Sequence, residues 1–130
     1  MKEPRWVTTQ MLRLIHVRQV ELFGGSHGML DENIVESALN KPRHLHAYEP
    51  DSDVAALAAA YLCGFAQSQG FVDGNKRTAL AVTLTFLGLN GLELNVGKEE
   101  LLAFVLAIAR NELRQPAVTT WLRERITARE

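Results

Sequence analysis

Asp73, Gly74, Asn75, Lys76 and Arg77 follow one another where a loop must turn into a helix, in the run Phe71-Val72-Asp73-Gly74-Asn75-Lys76-Arg77-Thr78. The first backbone N–H groups of a helix have no partner within it, and the helix dipole places partial positive charge at that end. Such a start is a ready anion site. Gly74 lets the backbone approach a ligand closely, and Lys76 and Arg77 add full charge. Asp73 fits the same site once a divalent cation stands between its carboxylate and a phosphate. The chemistry expected here is that of a metal–nucleotide or phosphate cradle. A purely structural reading uses the same residues: Asp73 as an N-cap, Gly74 as a turn residue, Lys76 and Arg77 as solvated first-turn charges. Two features weigh against it. Cations in a first turn oppose the dipole unless an anion joins them, and the apolar run over residues 79–89 predicts a rigid, buried frame behind them.

The elements that must position this run read as helices. Thr8 or Thr9 caps a first helix whose apolar positions Met11, Leu12, Ile15, Val20, Leu22 and Phe23 keep helical spacing up to Gly24-Gly25. Asp31 caps a short helix through Leu39, Pro42 ends it, and residues 41–50 read as an irregular loop carrying His44, His46 and Tyr48. Asp51, Ser52 or Asp53 caps a helix over residues 54–68, Ala-rich and apolar all round, as suits the inside of a bundle. The loop 69–74 leads into the second apolar helix, closed by Asn90-Gly91. An amphipathic helix follows over residues 98–109, and Pro116 opens a last one ending near Ile126. Strand signals are almost absent. The expected fold is an all-α bundle, residues 1–130 as a single domain, with two buried central helices flanking the phosphate-binding loop.

Composition narrows the function classes. A 130-residue chain can bury a real core. Its formal net charge of -1 argues against direct nucleic-acid or general membrane binding. The single Cys63 cannot form an internal disulfide and lies in an apolar run, which fits a core residue rather than a nucleophile. No apolar run reaches the roughly 20 residues that span a bilayer, and residues 1–6 do not read as a signal peptide. The chain is expected to be soluble and cytoplasmic.

The stretch Phe71-Val72-Asp73-Gly74-Asn75-Lys76-Arg77-Thr78-Ala79 resembles the signature of the Fic/Doc superfamily, and specifically its death-on-curing (Doc) branch, which reads His-Pro-Phe-x-Asp-Gly-Asn-Lys-Arg-Thr-Ala. Phe23-Gly24-Gly25-Ser26-His27-Gly28, Glu36-Ser37-Ala38-Leu39, Pro42, Asn90-Gly91 and Trp121-Leu122 also fall where Doc-like chains have them, so the likeness runs over residues 12–122. The resemblance implies an all-α Fic fold and membership in a bacterial or phage toxin–antitoxin pair. It implies transfer of the γ-phosphate of ATP to a threonine of translation elongation factor Tu, with an antitoxin segment as partner. By position, Asp73 would hold Mg²⁺, Asn75 would contact the nucleotide phosphates, Lys76 and Arg77 would neutralise phosphate oxygens, and the amides of Gly74 to Lys76 would form the anion nest. The AMP-transferring Fic branch carries Gly at the position of Lys76 and a second Arg at that of Leu80, so this chain is more similar to the Doc arrangement.

One departure bears on catalysis. Gln69 stands where the motif has its histidine, within Gln67-Ser68-Gln69-Gly70. Glutamine cannot take a proton at physiological pH, and loss of a general base costs about 10²–10⁴ in rate, or roughly 3–5 kcal/mol of barrier. Glutamine can still orient an attacking group, and positioning with charge stabilisation supplies most of the acceleration in phosphoryl transfer. The expectation is a weakened Doc-type kinase, with an inactive Fic-fold binding module as the alternative and AMP transfer as a less supported one. His27, His44 and His46 could replace the base only where geometry allows, and as loop histidines they read as solvated and neutral in role. The basic cluster over residues 41–46 is expected to contact an acidic target surface or nucleotide, whereas His16, Trp6 and Trp121 read as structural.

Overall fold

A computed structural model describes residues 3–25, 31–68 and 75–129. Six helices appear among them in the order α1 (Thr9–Phe23), α2 (Glu32–Tyr48), α3 (Val54–Ala66), α4 (Asn75–Leu89), α5 (Lys98–Ala109) and α6 (Gln115–Arg123). Two short strands, β1 (Leu92–Leu94) and β2 (Ile126–Ala128), complete the described elements. The all-α expectation holds.

The helix starts follow from local chemistry. Thr8 Oγ1 accepts from Met11 N, Asp31 Oδ1 from Asn33 N and Ile34 N, and Asp53 Oδ1 from Ala56 N. Each satisfies amides that the helix itself leaves unpaired. At the other end of α1, Gly24 takes φ +86°, a conformation that side chains with a Cβ resist, and returns its N–H to Val20 O at 2.7 Å.

α3 is the axis of the bundle. Leu57, Ala58, Ala59, Ala60, Tyr61 and Phe65 are all fully buried, and the helix packs most closely against α4, then α2 and α6. Small residues allow the approach. A Cβ added at Gly64 would lie 3.7 Å from the Ala38 backbone and side chain of α2, ordinary contact distance. α4 differs from the sequence expectation in one respect. Its Thr78, Ala79, Val82, Thr83, Phe86 and Leu87 are buried, but Leu80 and Leu84 stay partly open.

Two further expectations are corrected. α2 does not stop at Leu39; it continues through Pro42 to Tyr48, so residues 41–48 are helix rather than loop. A proline there forfeits one N–H bond to the carbonyl four residues back, but Pro42 is buried against the bundle and the loss is offset by packing. The basic cluster is consequently split by helical geometry. Lys41 faces a polar cleft between α2 and α3, while Arg43 lies 5.8 Å from the Trp6 ring centroid and His46 packs edge-on to Trp6 at 5.7 Å. Second, the last helix ends at Arg123, and residues 126–128 form β2, antiparallel to β1 with Glu93 opposite Thr127. Two three-residue strands carry too little pattern to read from sequence, and each exists because the fold supplies the other. The end of α3 agrees with the expectation to within two residues: the helix closes at Ala66, with Gln67 N still bonded to Cys63 O.

The tryptophans pack as expected. Trp6 stacks on Phe86 with ring centroids 6.0 Å apart, and Trp121 lies between Phe104, at 3.6 Å, and the Arg125 guanidinium, at 4.0 Å. His16 is buried. No helix among the described residues is long and apolar enough to cross a membrane.

Candidate phosphate site at the start of α4

α4 begins at Asn75, so Asn75, Lys76 and Arg77 make up its first turn, and α3 and α4 bracket the intervening residues. Ser68, just beyond α3, donates from Oγ to Asn75 Oδ1 at 3.5 Å, drawing the two flanks together. Gln67 Nε2 donates to Ile108 O at 3.3 Å and ties the same corner to α5. Gln69, Asp73, Gly74 and His27 lie outside the described residues.

Lys76 is exposed and Arg77 half-buried. Both line a cavity of about 430 Å³ together with Asn75 and Leu80 of α4 and Leu102, Val105 and Leu106 of α5. Two cations and the start of a helix therefore open onto one concave, otherwise apolar space, where charge is screened less than at an open surface. Leu80 forms part of its wall, so the cavity is apolar at that position. Arg77 is also held from behind. Its Nη2 donates to Gly24 O, at the end of α1, at 3.1 Å, and its guanidinium carbon stands 5.4 Å from the Phe23 ring centroid.

A second cavity, about 520 Å³, runs alongside. Gln19, Leu22 and Phe23 of α1 form one wall, Leu84 and Ala81 of α4 the floor, and Lys98 and Leu101 of α5 the other wall. It shares Arg77, Leu80 and Leu102 with the first cavity, so the two lie side by side along α4. Its rim is strongly apolar: Leu22 is 61% exposed and Phe23 62%. A third space of about 410 Å³, the polar cleft between α2 and α3, is lined by Asn33, Ser37, Lys41, Gln67 and Ser68.

The structure thus places Asn75, Lys76 and Arg77 together as the sequence predicts. His46 packs instead against Trp6, which stacks on Phe86 toward the other end of α4. Cys63 is buried, and desolvation pushes its thiol up to about 11, which suits a core residue. Sequence reading misses the α5 wall and the α1 anchor of Arg77. Leu102 and Leu106 belong to an apolar α5 stripe wider than one neighbour can cover, and the structure leaves both exposed.

Comparison with known proteins shows which family the sequence resembles. The sequence profile of the Fic/DOC family matches residues 6–87. The chain is 31% identical over 119 residues to the protein kinase doc of Escherichia phage P1, an alignment covering 92% of this chain and 94% of that protein. It is 36% identical over 73 residues to toxin Doc of Mycolicibacterium smegmatis, covering 55% of this chain and 56% of that one.

Proposed function

The chain belongs to the Fic/DOC family, and from that membership we propose that it is a Doc-like toxin of a toxin–antitoxin module, acting in the cytoplasm as an ATP-dependent kinase on elongation factor Tu. The observation that carries this reading is the pair Lys76 and Arg77 on the first turn of α4, facing one cavity. First-turn cations are unfavourable beside the positive end of a helix dipole, and a phosphate reverses the sign of that interaction.

The donor set fits a nucleoside triphosphate with its metal. Arg77 offers a planar fork of donors and Lys76 a compact charge, Asn75 supplies an amide, and Asp73 supplies by sequence the carboxylate that a divalent cation needs. Bound there, Mg²⁺ would neutralise charge on the phosphate oxygens. Lys76 and Arg77 stabilise the equatorial oxygens of the transferred group, and Gln69 orients the target hydroxyl. The threonine oxygen forms the new P–O bond, the bond to the leaving ADP oxygen breaks with its electron pair, and the hydroxyl proton passes to solvent. Because Gln69 cannot accept that proton, transfer is slower by about 10²–10⁴ than with a base in place.

The apolar trough between α1 and α5 suits the antitoxin segment of such a module. An amphipathic peptide would cover the exposed Leu22, Phe23 and Leu102 and set an acidic side chain near Lys98 or Arg77. A second reading, a binding module without catalysis, is favoured by Gln69 alone. AMP transfer is disfavoured by Lys76 and by the apolar Leu80 in the cavity wall.

Transfer of label from γ-labelled ATP with magnesium to elongation factor Tu tests the reading, comparing the chain with Gln69→His and Arg77→Ala. Label transferred by the unaltered chain and abolished by Arg77→Ala is the expected result. Label only with Gln69→His would leave the binding module; no label with any form would refute the kinase.

A further inference from the structure

We propose that Phe23, the last residue of α1, and Gly24, its C-cap, are a positioning device for Arg77, holding its guanidinium in place before any ligand arrives. The inference rests on the nucleotide reading above and goes beyond it by assigning a role to residues that touch neither phosphate nor target.

The contacts are specific. Arg77 and Gly24 are 53 residues apart in the chain, yet Arg77 Nη2 donates to Gly24 O at 3.1 Å. The acceptor lies at a helix C-terminus, where unpaired carbonyls carry partial negative charge and favour a cation. The φ of +86° at Gly24 aims that carbonyl; no atom lies within 4 Å of a Cβ built there, so conformation rather than space demands the glycine. The Phe23 ring meets the guanidinium at 5.4 Å. This ring is 62% exposed and lies outside the core, so its contact with Arg77 is not a by-product of core packing.

The arrangement leaves Arg77 usable. A guanidinium has five N–H donors in a rigid plane, and the carbonyl takes only one side of one nitrogen while the ring stands 5.4 Å from the guanidinium carbon. The remaining edge can meet a phosphate. Fixing an arginine beforehand removes most of the rotamer entropy that binding would otherwise cost. Phe23 and Arg77 also line the neighbouring trough together, so a peptide seated on Phe23 acts on the same guanidinium that the nucleotide uses.

The test measures the MgATP dissociation constant of the intact chain by calorimetry. Phe23→Ala is expected to weaken binding by about three- to tenfold, while Phe23→Tyr, which keeps the ring, stays within about twofold of the unaltered chain. Leu14→Ala, an exposed α1 substitution away from Arg77, sets the baseline. In an Arg77→Lys background, where the planar fork is gone, Phe23→Ala should change affinity by less than about twofold. Equal losses in both backgrounds would show that Phe23 acts only on general structure and would overturn the proposal. Unchanged or tighter binding by Phe23→Ala, with the unaltered chain binding normally, would overturn the positioning role alone. No MgATP binding by the unaltered chain would refute the nucleotide reading itself, and the positioning role with it.

Discussion

Tyr61→Phe removes one oxygen from the middle of α3 and leaves the ring in place. Tyr61 is fully buried, its ring tilted at 48° against Phe86 with centroids 4.9 Å apart, so the packing term is nearly untouched. The hydroxyl accepts from Val7 N at 3.1 Å, and Val7 is itself fully buried. Burial pushes the Tyr61 phenol up, with the Val7 N–H and the Arg43 charge opposing, so it remains a neutral hydroxyl at physiological pH. Without it, the Val7 N–H has no water to turn to. A buried donor stripped of its partner costs about 1–3 kcal/mol. Unfolding entropy of about 2.1 cal/mol/K per residue, over 130 residues, makes each kcal/mol worth about 4 °C, so Tm should fall by roughly 4–11 °C. The N-terminal segment keeps a second anchor, because Asn90 accepts from Arg5 N at 2.9 Å and donates to Arg5 O at 3.0 Å. The variant should therefore stay folded. Thermal and urea melts followed by far-UV circular dichroism give both Tm and the m-value, and m should not change. A Tm within about 1 °C of the unaltered chain would mean that Val7 finds another acceptor and that the buried-donor argument is wrong.

Two further outcomes follow from titrating groups. Cys63, buried and with its thiol pushed up to about 11 by desolvation, should resist a soluble thiol reagent at neutral pH and react fully once the chain is unfolded in urea; rapid labelling of the native chain would contradict its burial. Asp53 pairs with Arg123 through two bonds of 2.7 and 3.0 Å, and this pairing, against some desolvation, holds its carboxyl below the ordinary 3.8. A lowered folded-state value contributes stability that is full above the ordinary value and lost as pH falls through the folded one. Asp53→Asn keeps a capping oxygen for α3, so it should be less stable than the unaltered chain at neutral pH, and the two Tm curves should converge in acid. A gap that persists in strong acid would assign the effect to the cap instead.

Features that depend on neighbours in the chain were legible. The caps narrowed to Thr8 or Thr9, to Asp31, and to Asp51, Ser52 or Asp53, because the acceptor and the amides it serves lie within three residues; the structure selects Thr8, Asp31 and Asp53. Gly24 read as a helix stop for the same local reason. Pro42 misled because proline weakens a helix locally, while the packing that offsets the loss comes from burial against the rest of the bundle. The β1–β2 pair escaped notice because Leu94 and Ile126 become neighbours only after α5 and α6 have folded between them.

The site divides along the same line. The amino-acid sequence by itself determined that a glycine, an amide and two cations meet at the start of an apolar helix, and the identities of Gln69 and Leu80 with them, since these depend on residue type and spacing alone. Only the tertiary structure decided that Arg77 leans on the end of α1 and that Leu80 and Leu84 floor an open trough instead of vanishing into the core. Helical periodicity tells which residues share a face, but not how much of that face a neighbouring helix covers. That depends on how α1 and α5 sit against α4, which is set by packing between residues far apart in the chain.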